Sequence, residues 1–322
     1  MPTTWSVSRD QTLHICERRY YFQYLASARI NSRDETLREI AFLKKLKSFS
    51  MWRGNAFHSL AADYLRKVRR GTTPRITNLI GKFQNKMKRE WDFSVSRSFR
   101  SNPRAIDQDG GLALFEHEYD EDLGEEDFIE AVQDVEVSAR QFAVWVVDGD
   151  LVNSVRRATR VWIEPRPYGP KAPGFEIDGV QVLVKVDLAL LGPDGRFEIF
   201  DWKTGLPSSR PSRQIDQAEF QVSVYQLWPH LAFGHPLDSI GAHLVYVATD
   251  PVGQQTFGID QNLREYMLSL VRRSIARVLH FADLRGGKEL SLKDLDFAAF
   301  EAACHRCPFK RLCQRTLEYE WI

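Results

Sequence analysis

The apolar positions of this 322-residue chain change period near its middle. From Asp10 to about Leu25 they recur at helical spacing, with Leu13, Cys16, Tyr20, Tyr21 and Tyr24 alternating between faces. The same recurrence predicts helices over Trp52–Arg70, stopped by Gly71, over Thr77 to about Phe93, and from about Glu125 to Val147. Residues 94–124 are rich in Ser, Asn, Asp and Gly and predict a surface loop. Runs of β-branched residues then take over. Val155–Ile163 and Val180–Leu191 predict strands, Gly192-Pro193-Asp194-Gly195 a turn, and Phe197–Lys203 a returning strand, so residues 180–203 read as a hairpin. Asp216 to about Phe233 returns to helix. His243–Ala248 is a strand with Gln255–Gly258 as its candidate partner, and Gln261–Leu284 is a long helix followed by a polar stretch around Lys288–Asp296.

The expected fold class is therefore α/β, a small mixed central sheet with flanking helices, set between helical arms. With no internal repeat or low-complexity tract, the chain reads as one domain of four regions. These are an N-terminal helical region 1–93, a loop and helical insertion 94–150, a sheet and helix core 151–260, and a C-terminal helix with a cysteine cluster 261–322.

Composition adds little: 43% hydrophobic and 27% charged is ordinary for a folded protein. No apolar run approaches a membrane span, and the opening MPTTWSVSRD lacks the apolar centre of a signal peptide, so a soluble, cytoplasmic protein is expected. The net charge of +1 hides a split. Residues 1–104 carry 22 Lys/Arg against 8 Asp/Glu, and residues 105–150 carry 1 Arg against 15 acids. Two readings stand: a lobe that faces a polyanion, or two solvated faces that pair with each other.

Candidate chemistry sharpens the picture. The four cysteines are Cys16 and a C-x2-C-x5-C run of Cys304, Cys307 and Cys313. Four thiolates are the usual complement for a structural zinc or an iron–sulfur cluster, and here one site would join the two ends of the chain. Asp187 interrupts the apolar Leu183–Ala189, and Asp201-Trp202-Lys203 follows the apolar Phe197–Phe200. Carboxylates placed in runs that favour burial need a partner or a metal. A cross-strand salt bridge to Lys203 and a hard-cation site both satisfy that need. His58 lies on an amphipathic helix, and Gln221 and Tyr225 share a helix face at i and i+4.

Taken in order, Cys16, His58, Asp187, Asp201-Trp202-Lys203, Gln221-Val222-Ser223-Val224-Tyr225 and the three C-terminal cysteines form a pattern that resembles the PD-(D/E)XK nuclease superfamily. The resemblance is to its RecB-like, iron–sulfur branch, which includes the AddB nuclease domain, eukaryotic exonuclease V and the CRISPR-adaptation nucleases. Ser6-Val7-Ser8 followed by Cys16-Glu17-Arg18-Arg19-Tyr20-Tyr21 is similar to that branch's entry helix. Two departures stand out. Asp201 occupies a position where many members have Glu, and the segment between His58 and Asp187 is long.

The resemblance implies a restriction-endonuclease-like core and helical arms joined by a four-cysteine site. It implies that His58, Asp187, Asp201 and the backbone carbonyl of Trp202 hold Mg²⁺ or Mn²⁺, that Lys203 activates water, and that Gln221 and Tyr225 position it. It implies a 4Fe–4S cluster on Cys16, Cys304, Cys307 and Cys313, with zinc as the alternative. Arg18, Arg19, Tyr20 and Tyr21 would contact nucleic acid, the competing view being that the tyrosines pack in the core. The implied function is hydrolysis of DNA phosphodiester bonds, on single strands or ends, by an exonuclease in DNA repair or antiviral defence. Helicase or defence and adaptation proteins are the implied partners, since the chain has no Gly-x4-Gly-Lys-Ser/Thr loop of its own. A catalytically weak nucleic-acid-binding or assembly subunit is the other reading.

Overall fold

The computed structural model describes residues 4–26, 30–166, 169, 172–207, 217–284, 292 and 295–313. Its helices are α1 (Val7–Ile15), α2 (Glu17–Tyr20) continued by a π-type turn over Tyr21–Leu25, α3 (Glu35–Leu43), α4 (Phe49–Arg69), α5 (Ile76–Val95), α6 (Ser98–Ser101), α7 (Phe115–Glu118), α8 (Glu125–Asp148), α9 (Leu151–Arg157), α10 (Gln217–Phe233), α11 (Gln261–Leu284) and α12 (Glu301–His305). Its strands are β1 (Thr4–Trp5), β2 (Arg160–Ile163), β3 (Gly174–Ile177), β4 (Val180–Leu183), β5 (Leu188–Leu191), β6 (Phe197–Lys203), β7 (Ile240–Tyr246) and β8 (Gly253–Phe257). Among the described residues, no helix is long and apolar enough to cross a membrane. The helix start expected at Asp216 and most of the polar stretch Lys288–Asp296 lie outside the described residues.

The chain forms two compact units, neither continuous in sequence. The first comprises Met1–Ser6, Arg53–Gln84 and Ile129–His280, and the second Val7–Trp52, Asn85–Phe128 and Phe281–Ile322.

The first unit carries both sheets. A five-stranded sheet runs in the order β2-β5-β6-β7-β8, with β6 and β7 parallel and every other neighbour antiparallel. A three-stranded sheet runs β1-β4-β3. The core beside the larger sheet takes Phe57, Leu60, Ala61, Tyr64, Leu65 and Val68 from α4, the helical 3–4 recurrence that buries one stripe. Phe142 and Val146 of α8 and Leu188, Phe200 and Trp202 of the sheet complete its centre.

Two expectations in this unit are corrected. The strand expected over Val180–Leu191 is two strands in different sheets, broken over Val184–Asp187. Val180–Leu183 instead pairs with β3 through a two-residue turn at Asp178-Gly179, both at positive φ (49° and 79°), the geometry that an Asp-Gly hairpin favours. The true hairpin to β6 starts only at Leu188. The strand expected from Val155 begins at Arg160. Asp150, at φ 56°, reverses the chain after α8, and Leu151 and Val155, four apart, then bury on one face as α9.

The second unit is helical. Its core joins Phe22, Phe42, Phe99, Phe115, Phe309 and Leu312. Phe22 stacks on Phe309 at 5.2 Å between centroids, and Tyr119 donates its hydroxyl to the Pro308 carbonyl at 2.6 Å. The surface loop expected over residues 94–124 is corrected as well. It contains α6 and α7, and Phe99, Ala113 and Leu114 are fully buried. Its polar residues serve this burial from within: Ser94, itself buried, accepts the Leu114 amide at 3.0 Å.

Candidate active site

Strand β6 builds the centre. Alternation along it sets Ile199, Asp201 and Lys203 on one face and Phe200 and Trp202 on the other. The Trp202 indole packs edge-on against Phe142 at 5.1 Å and Trp145 at 5.8 Å, so ring contacts on the far face hold this stretch of backbone. The Trp202 amide donates to Asp187 Oδ2 at 2.8 Å. Asp187 stands one residue before β5, outside the ladder in which the sequence reading put it, and opposite Asp201 by the register of Leu188 with Phe200. The break between β4 and β5 frees its carboxylate to turn toward α4.

There it meets His58, whose Nδ1 lies 2.9 Å from Asp187 Oδ1. His58 follows Phe57, which is fully buried against Phe142, so the imidazole sits at the border of the buried stripe and is half-exposed. One turn earlier is Gly54. A Cβ on it would stand 3.5 Å from Thr204 Oγ1, so a minimal residue brings α4 close to the end of β6.

Helix α10 packs on β6 and β7 and supplies the third side. Gln221 accepts from Lys203 Nζ at 3.1 Å and donates through Nε2 to Asp201 Oδ1 at 3.2 Å and to the Tyr225 hydroxyl at 2.8 Å. Lys203 Nζ is 2.6 Å from Asp201 Oδ2. That oxygen is buried and has no hydrogen bond, so the ammonium meets it as a charge, outside hydrogen-bond geometry. His58, Asp187, Asp201, Trp202, Lys203, Gln221 and Tyr225 thus lie in one neighbourhood of the first unit.

The charges there are mutually strained. Burial, and then the Asp187 charge, push the Asp201 carboxyl up to about 6 against the pull of Lys203 and His58. Burial works against charge on His58, but Asp187, with Asp201 and Glu164, outweighs it and raises the imidazole above its ordinary value. Burial raises the Tyr225 hydroxyl, and the Asp201 charge adds to it, so Tyr225 stays a neutral hydrogen-bonding group. Two adjacent buried acids, one of them already in contact with Lys203, repel each other, and further positive charge between them is favourable. Imidazole and carboxylate donors suit a divalent cation.

One residue at this centre was not singled out from the sequence. Glu164 follows β2, and an oxygen of it, a nitrogen of His58 and an oxygen of Asp187 lie within 4.8 Å of one another, a group able to hold a metal ion. Burial, then Asp187, raise its carboxyl above the usual range. The only sequence signal was an acid closing the apolar Val161-Trp162-Ile163.

The cysteines and the expected nucleic-acid residues belong to the second unit. Cys16 Sγ caps α2 by accepting the Arg19 amide at 3.4 Å. None of the four cysteines is in a disulfide, and Cys304 is exposed. Burial pushes Cys307 up to about 11, with Arg19 opposing and charge on Cys16 and Cys313 adding to the rise. Burial raises Cys313, opposed by Arg18 and reinforced by Cys16 and Cys304. Arg18 and Tyr20 are buried, which removes them as open contacts for nucleic acid. Arg18 donates to the Leu295 carbonyl at 3.1 Å and covers the Phe297 ring at 3.8 Å, and Tyr20 packs beside Tyr24 and Phe281. Arg19 and Tyr21 are half-buried.

The sequence profile of the PD-(D/E)XK nuclease superfamily matches residues 4–314. The chain belongs to this superfamily. No curated protein matches it. PD-(D/E)XK nucleases use divalent metals, and the mixed sheets with flanking helices fit their restriction-endonuclease-like fold. Asp201 and Lys203, two residues apart on β6, are in contact.

Proposed function

We propose that this PD-(D/E)XK protein is a metal-dependent deoxyribonuclease that acts on single-stranded DNA or DNA ends and carries a structural 4Fe–4S cluster. The observation that carries the reading is the linked set around β6: His58 on Asp187, Asp187 on the Trp202 amide, and Lys203, Gln221 and Tyr225 around Asp201. A lone cross-strand salt bridge would need none of the histidine, the second acid or the glutamine.

His58, Asp187, Asp201 and the Trp202 carbonyl would hold Mg²⁺ or Mn²⁺. The ion, when bound, lowers the pKa of water and offsets charge on the phosphoryl oxygens. Lys203, poised between Asp201 and Gln221, orients the attacking water and, as an ammonium, balances phosphate charge. Gln221 holds the ammonium in place by accepting from it while its amide nitrogen donates to Asp201 and to Tyr225. Arg19 and Tyr21 remain candidates to touch a phosphate and stack a base.

The donor set of the second unit fits a cluster: four cysteines, none in a disulfide, with Cys307 and Cys313 each within electrostatic reach of Cys16. Cys16, Cys304, Cys307 and Cys313 would ligate it, with zinc as the alternative, and binding energy would then also be folding energy. Metal analysis of an anaerobic preparation separates the two. Iron with inorganic sulfide supports the cluster, and zinc alone contradicts it.

The nuclease reading is tested by incubating end-labelled single- and double-stranded DNA, linear and circular, with Mg²⁺ or Mn²⁺ beside Asp187→Ala. Metal-dependent loss of label from linear DNA, absent in the variant, supports it. Equal activity in wild type and variant overturns it, and digestion of circles excludes a strict need for ends. Loading by a helicase, or work within a defence or adaptation complex, is consistent with a chain that lacks a phosphate loop.

A further inference from the structure

Strand β2 leads away from the acidic centre. It ends at Ile163, just before Glu164, and begins at Arg160. Four residues of extended chain separate Arg160 from Glu164 by about 13 Å. Among the described residues β2 pairs only with β5, so it is an edge strand of the larger sheet.

The end at Arg160 is built of rings. Trp162 packs against Phe197 at 5.4 Å, meets Trp228 of α10 edge-on at 5.2 Å, and lies nearly parallel to Phe233 at 6.3 Å. By alternation Phe197 shares the β6 face of Asp201 and Lys203, so these rings and the acidic centre occupy one side of the sheet. Arg160 lays its guanidinium over both Trp162 and Phe233, at 4.7 and 5.1 Å from the ring centroids. Arg160 and Phe233 are exposed, and Trp162 is half-buried.

The surface is cationic. Among the described residues no carboxylate pairs with Arg160. Arg157 before the strand and Arg166 after it are exposed as well. An arginine that only guards an edge strand against pairing needs its charge and no aromatic ring beneath it. Here a large ring at the end of α10 stays in solvent under the guanidinium. Aromatic rings and a guanidinium plane, beside further cations, are what an unpaired base and its phosphates meet in single-strand recognition. A duplex keeps its bases stacked on one another and offers none to such a surface.

We propose that Arg160, Trp162 and Phe233 form a subsite for single-stranded DNA, in which an unpaired base stacks on the guanidinium and rings and a neighbouring phosphate meets Arg160, and that this subsite makes the enzyme prefer single strands. The proposal rests on the nuclease reading and deepens it by naming where the strand beyond the cut is held.

The test is steady-state cleavage of an end-labelled oligothymidine strand by the full chain in Mg²⁺, with an unlabelled blunt duplex as competitor, for wild type, Arg160→Gln, Phe233→Ala and Phe233→Tyr. Loss of one stacked base costs about fivefold or more in affinity, so Phe233→Ala should raise KM by at least that factor, with the loss in KM rather than in kcat. Phe233→Tyr keeps a ring and should restore the wild-type KM. Arg160→Gln should raise KM most at low salt, and its effect should shrink as salt rises, whereas that of Phe233→Ala should persist. Arg160 is exposed, so its variant reports even if Phe233→Ala disturbs the end of α10. Inhibition by the duplex should be the same in all four proteins. Arg160→Gln and Phe233→Ala proteins with wild-type KM, or variants that lose duplex and single strand equally, overturn the proposal and leave the nuclease reading intact. A wild type that cleaves no DNA contradicts the nuclease reading and this inference with it.

Discussion

Asp187 stands opposite Asp201 at the mouth of the β5–β6 hairpin, and its Oδ2 accepts the amide of Trp202, the next residue after Asp201. The pairing brings two buried acids together, one just before β5 and one on β6, with Lys203 as the ammonium in contact with the second.

Lys203→Met removes that cation. On its proposed role of stabilising charge at the reacting phosphate, its loss should lower the cleavage rate by roughly 10²- to 10³-fold. In chelator the variant should also lose about 1–3 kcal/mol of stability, because the buried Asp201 carboxylate is left without its ammonium. Added Mg²⁺ should restore most of the stability and none of the rate. Urea melts with and without Mg²⁺, beside single-turnover cleavage, check both parts.

The Asp201 shift sets a pH window. Its folded-state pKa, at about 6, lies above the ordinary value of 3.8, so between these values the folded state holds a proton that the unfolded state has released. Its contribution to stability is therefore greatest at low pH and falls as pH rises toward 6. Asp201→Asn lacks this term. In chelator, the stability of wild type relative to Asp201→Asn should decline across that window and level off above it, as read by melts at successive pH values. A flat difference would contradict the burial of a charged Asp201 beside Asp187.

On its proposed role as a metal ligand, His58 should give the activity profile an alkaline-rising limb. Its pKa is raised above 6.5 mainly by Asp187, and metal must displace the proton. Cleavage at limiting Mn²⁺ should rise through neutrality, and saturating Mn²⁺ should shift the rise to lower pH. A profile indifferent to Mn²⁺ concentration would exclude His58 as a ligand.

Much of the centre was legible because its chemistry is carried by residue types that contradict their surroundings. Asp187 inside an apolar run and Asp201-Trp202-Lys203 after one stand out in any reading, and Gln221 and Tyr225 share a helix face by spacing alone. Glu164 was not legible in the same way. It closes its apolar run, where an acid usually marks solvent, and only the fold turns it back beside Asp187. The continuous strand over Val180–Leu191 was misread because its apolar residues never pause, whereas the break is made by two sheets competing for its halves. In residues 94–124, Ser, Asn, Asp and Gly masked Phe99 and Ala113, whose burial depends on partners distant in sequence such as Phe42 and Leu312.

Gly54 offers a steric test. Ala places a methyl at ordinary contact distance from Thr204, so Gly54→Ala should keep activity and gain up to about 1 kcal/mol of helix stability. Gly54→Leu cannot fit without moving α4 or the end of β6, and with them His58 or Lys203. Its cleavage rate should fall by about tenfold or more, since small misplacements at a reacting centre are costly. Thermal melts and cleavage rates for the two variants make the comparison.

The most direct test is anomalous diffraction from crystals soaked in Mn²⁺. The account predicts a strong Mn²⁺ peak within coordination distance of the carboxylates of Asp187 and Asp201, on the side of β6 that carries Lys203. Crystals in which Mn²⁺ binds elsewhere, or in which His58 and the two aspartates stand apart with no ion between them, would contradict it.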